Sequence, residues 1–260
     1  MNAKQIKNYL LGLNNLRKQL GYYHFYHAVK NELQLQVLDK PQGKKVLILS
    51  PHPDDDVFGC GGSLGLYPKS TKISAIYFSD GTRGTKQGQK DQGLKGIRQK
   101  EAIKSGKLLN IKEQIFLGLP DGKFSVTKKN TAVLLSYLKK ISPDIIYLPF
   151  FLDTNTDHQE ACRIFYHTCK ELKNNIKLYS FEIWNPIFPN RLIDISKKVS
   201  EKRLAIRAHC SQIGSRNYEK AIMGLNQYRA EVMGISGYAE SFFACDLKIW
   251  LKLIKYCQVV

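Results

Sequence analysis

The chain lacks the features that mark membrane-spanning and secreted proteins. No apolar run in its 260 residues approaches the roughly 18 residues that a membrane-spanning helix needs. We expect no secretory signal at the N-terminus, because its short apolar run at 9–11 is soon followed by polar and basic residues. None of the six cysteines forms a C-x-x-C pair, so we expect free thiols in a reducing cytoplasm.

Acidic residues are also scarce, with 22 Asp+Glu against 40 Lys+Arg and a formal net charge of +18. Such a balance favours an anionic partner or substrate, and a basic proteome with many exposed lysines explains it equally well. The basic residues are scattered in pairs and form no run of five or more, and no nucleic-acid-binding motif occurs. We therefore predict no specific nucleic-acid partner, since charge alone would give only salt-sensitive, nonspecific binding.

Short apolar strands alternate with helical segments over most of the chain. The predicted strands are 46–50, 73–79, 113–122, 144–150 and 177–184, and the predicted helices are 97–110, 131–141, 157–172, 200–213 and 218–234. Buried strands that alternate with helices predict an α/β fold, with a mostly parallel sheet covered by helices on both faces. Residues 3–33 have helix-like spacing. We therefore divide the chain into an N-terminal helical extension, 1–43, and a single α/β domain, 44–260.

Two of the predicted strands end in residues typical of metal sites. Strand 46–50 is followed by His52, Asp54, Asp55 and Asp56, and strand 144–150 by Asp153, Asn155, Asp157 and His158. Ligands of open α/β sheets bind beyond the carboxyl ends of the strands. If the two strands are parallel neighbours, the two loops meet there.

His52, Asp55 and His158 would together make an open metal site. Two histidines and one carboxylate suit Zn²⁺, and the same ligands also suit Fe²⁺. Zinc would bring the pKa of a bound water close to neutrality, and Asp54 beside it could act as the general base. Taken alone, each aspartate is more often a helix cap or a turn former, so the prediction depends on the two loops together.

The glycines and the other histidines receive simpler interpretations. Gly59, Gly61 and Gly62 match no phosphate-binding motif, so we expect them to allow close packing of the following helix on the sheet. The remaining histidines have no partner pattern and are expected at the surface or in the core: His24, His27, His167 and His209.

The stretch PHPDDDVFGCGGSL (51–64) resembles the signature of the PIG-L/LmbE-like family of zinc-dependent de-N-acetylases. Other motifs follow in the family's order over roughly residues 44–245: SDGTRG, RQKEA, FLGLPDG, DTNTDHQEA, FEIWNPIFPNRLIDIS, KRLAIRAHCSQ and GYAESFFA. The resemblance implies a Rossmann-like fold, with 44–260 as the deacetylase domain. It also implies hydrolysis of the acetamido group of an N-acetylated amino sugar, in an N-acetylglucosamine-type glycan, glycolipid or glycoconjugate precursor, with release of acetate.

When the family's functional residues are carried over to the matching positions, the resemblance implies that His52, Asp55 and His158 are the zinc ligands. Asp54 becomes the general base, and Arg98 falls where the family has an arginine that contacts substrate hydroxyls.

Two residues depart from the family pattern. Asp56 stands where glutamate is usual, and Asn155 replaces the first histidine of His-x-Asp-His. Asn155 can donate a hydrogen bond to an oxyanion but cannot act as a general acid near neutral pH. These departures leave open a non-catalytic metal-binding carbohydrate-recognition protein of the same fold. The presence of Asp54 beside a full ligand set favours the enzyme.

The C-terminal segment 246–260 allows two interpretations. We favour a terminal helix or strand packed on the core; shallow membrane docking through its lysines and Trp250 is the alternative. We expect a cytoplasmic protein, with peripheral contact at the inner membrane surface left open by this segment. The positive charge leaves open a phosphate-bearing or lipid-linked substrate. An oligomer is also left open, because the sequence selects no oligomeric state.

Overall fold

The computed structural model of the chain describes residues 34–84, 91–169, 172, 175–213, 216–257 and 259. Its strands are β1 (Gln36–Leu38), β2 (Lys45–Ser50), β3 (Lys72–Ser79), β4 (Glu113–Leu119), β5 (Ile145–Pro149), β6 (Lys177–Phe181), β7 (Arg191–Asp194) and β8 (Ala239–Asp246). Its helices are α1 (Asp55–Gly65), α2 (Gln92–Leu108), α3 (Lys128–Ile141), α4 (Thr156–Cys169), α5 (Val199–Arg207), α6 (Cys210–Ile213), α7 (Tyr218–Glu231) and α8 (Leu247–Tyr256), with a 3₁₀ turn at Ser196–Lys198.

The predicted helix over 3–33 lies outside the described residues, and the division of the chain at residue 43 remains a prediction. Strand β1 falls within the predicted extension and pairs in parallel with β7 at the edge of the sheet.

The strands form one sheet in the order β1-β7-β8-β6-β5-β2-β3-β4. Strand β8 runs antiparallel to β6 and β7, and the other neighbouring strands are parallel. The predicted α/β fold with a mostly parallel sheet is therefore confirmed.

Alternate residues along each strand point to opposite faces of the sheet, so the sheet carries a separate core on each face. On β2, Leu47 and Leu49 join one core, which α3, α4 and α8 cover. Val46 and Ile48 join the other, which α1, α2, α5 and α7 cover. Burial on both faces explains why the central strands read as continuous apolar runs.

The glycines of α1 allow this helix to pack closely on its neighbours, as predicted. A Cβ atom at Gly62 would lie 2.6 Å from the Ile195 side chain, and one at Gly59 would clash with the Phe181 ring. Helix α1 can therefore approach the sheet without the space that side chains would need. This close approach fixes the loop that precedes the helix.

Some predicted boundaries were wrong. The strand predicted at 177–184 ends at Phe181, because the carboxylate of Glu182 turns inward to accept bonds from Ile187 N–H and Arg229. The helix predicted over 200–213 is two helices, with a break between Arg207 and Cys210.

The C-terminal segment forms α8, and the packed interpretation is confirmed. Trp250 is 0 % exposed and contacts the rings of Phe151 and Phe165. The apolar groups on which membrane docking would depend are therefore buried in the core. Among the described residues, no helix is both long enough and apolar enough to span a membrane.

Candidate metal centre and active site

The two loops predicted to meet lie side by side at the carboxyl edge of the sheet. Strands β2 and β5 are parallel neighbours, with Val46 opposite Ile145 and Ile48 opposite Tyr147. Helix α1 begins directly after the first loop, and α4 begins within the second. This topology places the ends of both strands, and the helices that follow them, around one point.

His52, Asp55 and His158 converge there. Oδ2 of Asp55 lies 3.0 Å from Nδ1 of His52 and 3.2 Å from Nε2 of His158. One potential ligand atom from each of the three residues lies within 4.8 Å of the others. Asp55 and His158 are buried and His52 is nearly so. The three predicted metal ligands are therefore brought together.

The chemistry of these donors fits a divalent metal. Nε2 of His158 is close to Asp55 but is not aligned for a hydrogen bond, so this buried nitrogen has no hydrogen-bond partner. Because Nδ1 of the same ring lies 3.1 Å from Asp153 Oδ2 and can donate its proton there, the neutral ring presents its lone pair at Nε2. A buried lone pair beside a carboxylate is suited to metal ligation.

The pKa directions show that the cluster stabilises positive charge. Burial lowers the pKa of His158, but the carboxylates of Asp55 and Asp153 outweigh burial and raise it to about 9. Burial likewise opposes protonation of His52, and Asp55 with two further carboxylates raises its pKa well above the usual value. Burial alone would raise the pKa of Asp55, but the two histidines hold it well below its usual value. Protons on the imidazoles or a bound metal cation would supply the positive charge that these carboxylates favour.

A second set of carboxylates orients the two histidines. Asp153 contacts Nδ1 of His158, while Nε2 of His52 lies 3.2 Å from Asp157 Oδ2 and 3.6 Å from Asp121 Oδ1. In metal sites such partners fix the tautomer and the direction of the imidazole ring. Sequence reasoning assigned no role to Asp121, and its only signal was its place in the FLGLPDG motif.

Replacing Asp153 by alanine is expected to weaken metal affinity by about 10–100-fold, because His158 loses the partner that fixes its ring. Competition with a chromophoric chelator measures the affinity. Asp194→Ala is the matched control, since Asp194 accepts a bond from the Ser196 N–H away from this site. Equal affinities for the Asp153 variant and the wild type would contradict the orienting role.

Asp54 is not a helix cap in the usual sense. It occupies the N-cap position of α1, yet its side chain makes no capping hydrogen bond. Its Oδ1 instead lies 2.9 Å from Nη2 of Arg98, and both side chains are buried. Arg98 also donates from Nη1 to the carbonyl of Gly81. The ion pair holds the carboxylate beside the metal ligands and leaves it on the wall of the cavity.

Asp56 faces away from this cavity and into the sheet. Its Oδ2 accepts a bond from the Tyr77 hydroxyl at 2.8 Å, and its backbone N–H donates to Ser50 Oγ. Burial raises the pKa of its carboxyl to about 7. The shorter side chain at this position therefore still finds a hydrogen-bond partner, on the strand next to the site.

Asn155 lines the cavity and immediately precedes helix α4. Its Oδ1 accepts a bond from the Asp157 N–H at 2.9 Å, and its own N–H donates to Asp153 Oδ1. Because the cap bond uses the amide oxygen, the Nδ2 group remains as a donor. The residue can therefore stabilise an anion.

His52, Asp54 and Asp55 line a cavity of about 300 Å³. Its other walls come from three arginines, aromatic and aliphatic side chains, and a glutamine: Arg83, Arg98, Arg216, Phe58, Ile183, Trp184, Tyr218 and Gln212. Cavities of this size with a few convergent polar groups are typical small-molecule sites.

Comparison with known proteins supports the resemblance. Residues 47–169 match the family model described as PIG-L, GlcNAc-PI de-N-acetylase. The diacetylchitobiose deacetylase of Thermococcus kodakarensis is 25% identical over 187 residues, which cover 65% of this chain and 70% of that protein. The segment matched by the family model, 47–169, contains both loops of the candidate site.

Solved structures share the fold. The N,N'-diacetylchitobiose deacetylase of Pyrococcus horikoshii aligns with a TM-score of 0.69 and 24% identity, over 85% of this chain and 91% of that one. GalB of Pseudomonas putida, a 4-carboxy-2-hydroxymuconate hydratase, aligns with a TM-score of 0.64 and 21% identity, over 77% and 95%. Since a hydratase has the same fold, the fold alone does not decide the reaction. Over residues 47–169 the chain resembles PIG-L de-N-acetylases, and this match together with the deacetylase relative is consistent with a hydrolase that acts on an amide.

Proposed function

We propose that this protein removes the acetyl group from an N-acetylated amino sugar in a zinc-dependent hydrolysis, with N-acetylglucosamine-type glycans or glycoconjugates as the substrate class. The observation that carries the proposal is the convergence of His52, Asp55 and His158 beside the buried Asp54–Arg98 pair. The family match and the diacetylchitobiose deacetylase relatives support the substrate class. The ligand set also suits Fe²⁺.

His52, Asp55 and His158 would hold the metal. When bound, it supplies Lewis acidity, which lowers the pKa of water and polarises the amide carbonyl. Asp54 accepts the proton of the attacking water, because its carboxylate makes no capping bond and lines the cavity. Arg98 holds the Asp54 carboxylate in place through their ion pair, and it presents its remaining donors to the sugar hydroxyls.

Asn155 can stabilise negative charge during the reaction, but it cannot transfer a proton. From Nδ2 it donates a hydrogen bond to the oxygen that becomes negative as water adds to the amide carbon. It cannot supply the proton that the leaving nitrogen needs. Asp54 therefore returns the proton taken from water to the leaving nitrogen, so that water and amide become acetic acid and a free amine.

Acetate release from a substrate panel tests the proposal. The panel contains free N-acetylglucosamine and its nucleotide-linked, lipid-linked, inositol-linked and malate-linked forms. Each is assayed with Zn²⁺, with Fe²⁺ and with a chelator. We expect release that requires metal, and the best substrate identifies the group attached to the sugar. Metal binding without release from any member would instead favour the non-catalytic carbohydrate-recognition alternative.

A further inference from the structure

The outer part of the cavity is built from residues that the hydrolysis does not use. Trp184, on the loop after β6, is 41 % exposed although it is large and aromatic. It belongs to none of the clusters that form the core of the described residues. Its exposed surface lines the cavity, where it can contact a ligand.

An aromatic path connects Trp184 to the metal centre. Its ring meets the Tyr218 ring edge-on, with centroids 6.4 Å apart, and Tyr218 stacks on Phe58 at 5.1 Å. Phe58 lies in the first turn of α1, directly after the metal loop. A ligand that enters the cavity past Trp184 therefore reaches the reaction centre along aromatic surfaces.

The loop that carries Trp184 is held at both sides. Glu182 accepts two bonds from the Arg229 guanidinium, at 3.0 and 2.6 Å, and one from the Ile187 N–H at 2.9 Å. Asn185 accepts a bond from the Thr154 N–H at 3.0 Å, which joins this loop to the loop of His158. The indole is thus positioned before a ligand arrives, which lowers the entropic cost of binding.

Two further arginines line the cavity, and one of them lies over the indole. The Arg216 guanidinium lies over the Trp184 ring, 5.4 Å from its centroid. Arg83 lines the same cavity, and neither arginine has a carboxylate partner within the part of the chain that the structure describes. Guanidinium groups in this position can donate to hydroxyl and ring oxygens at the edge of a stacked ring.

We propose that Trp184, with Arg216, forms a stacking subsite for a second pyranose ring, attached to the acetamido sugar on the side away from the metal. The face of a pyranose carries C–H groups, which are weakly positive and attracted to the negative face of an indole. This inference rests on the proposed function and extends it: the substrate is a disaccharide or longer, and Trp184 sets the preference for it.

Kinetics of Trp184→Ala with N,N'-diacetylchitobiose and N-acetylglucosamine test the subsite. We expect the ratio of kcat/KM for the disaccharide to that for the monosaccharide to fall by about tenfold. Trp184→Phe should restore part of the ratio. Phe188→Ala is the matched control, because Phe188 is exposed on the same loop and does not line the cavity. An unchanged ratio in Trp184→Ala overturns the inference.

A binding measurement separates failure of the subsite from failure of the proposed function. The chain has 2 tryptophans, and Trp250 is fully buried, so acrylamide quenching reports on Trp184. In an Asp54→Asn background, N,N'-diacetylchitobiose should protect Trp184 from quenching and N-acetylglucosamine should protect it less. If the wild type releases no acetate but protection occurs, the proposed function fails and the subsite stands. If acrylamide quenches Trp184 equally with and without the disaccharide, the proposed subsite is overturned.

Discussion

Replacing Asp54 by asparagine should lower the rate of acetate release by about 10²–10⁴-fold, the usual contribution of a general base. Asparagine keeps the size of the side chain and one oxygen for Arg98, but it cannot accept the proton of water. The metal ligands are not changed, so the metal content of the variant should equal that of the wild type. Steady-state kinetics with metal analysis of the same sample measure both quantities.

Asp246→Asn is the matched control for this variant, since the Asp246 side chain is 67% exposed and, among the described residues, pairs with the partly exposed Lys177. It should retain wild-type activity. An Asp54→Asn enzyme with normal metal content and near-normal rate would show that another group activates water. Loss of metal together with activity would place Asp54 among the ligands.

Lys202→Met should lower the free energy of unfolding by about 3–5 kcal/mol, because it leaves the Glu240 carboxylate charged and unpaired in the core. Both side chains of this pair are 0% exposed, with Nζ 2.6 Å from Oε1. Lys202 also donates to Asn226 Oδ1 and to the carbonyl of Phe58 on α1. The pair therefore joins α5, α7 and β8 to the helix that follows the metal loop. Urea unfolding measures the loss.

Lys198→Met provides the comparison for this stability prediction. Lys198 pairs with Glu201 at 2.8 Å, but both side chains are partly exposed, and such pairs contribute less than about 1 kcal/mol. A similar small loss for Lys202→Met would mean that the buried pair contributes little beyond what an apolar side chain supplies.

The sequence predicted strands β2 to β6 and missed β7 and β8. Strands β2 and β5 are buried on both faces, so they appear as continuous apolar runs with clear ends. The antiparallel β8 contains Glu240 and Ser241, which are buried in hydrogen-bonded networks. Polar residues of this kind interrupt the apolar pattern, so the sequence pattern did not predict this strand. The four residues of β7 are too few to show a period.

The sequence also predicted only part of the candidate site. His52, Asp55 and His158 could be placed together because they lie in the segments that follow β2 and β5, and strand order decides such contacts. The Asp54–Arg98 pair joins positions 44 residues apart on different elements, so no spacing in the sequence reveals it. Asp121 and Trp184 also reach the site from separate loops. Their contribution emerges only once the sheet brings those loops to one edge.

Stepwise return of Zn²⁺ to chelator-treated protein, with bound metal and acetate release followed in the same samples, tests the central claim most directly. If His52, Asp55 and His158 hold the metal on which hydrolysis depends, activity should rise with bound metal and saturate at one ion per chain. His158→Ala should abolish both binding and activity. Acetate release that persists in the metal-free protein, or that does not follow bound metal, would contradict the account.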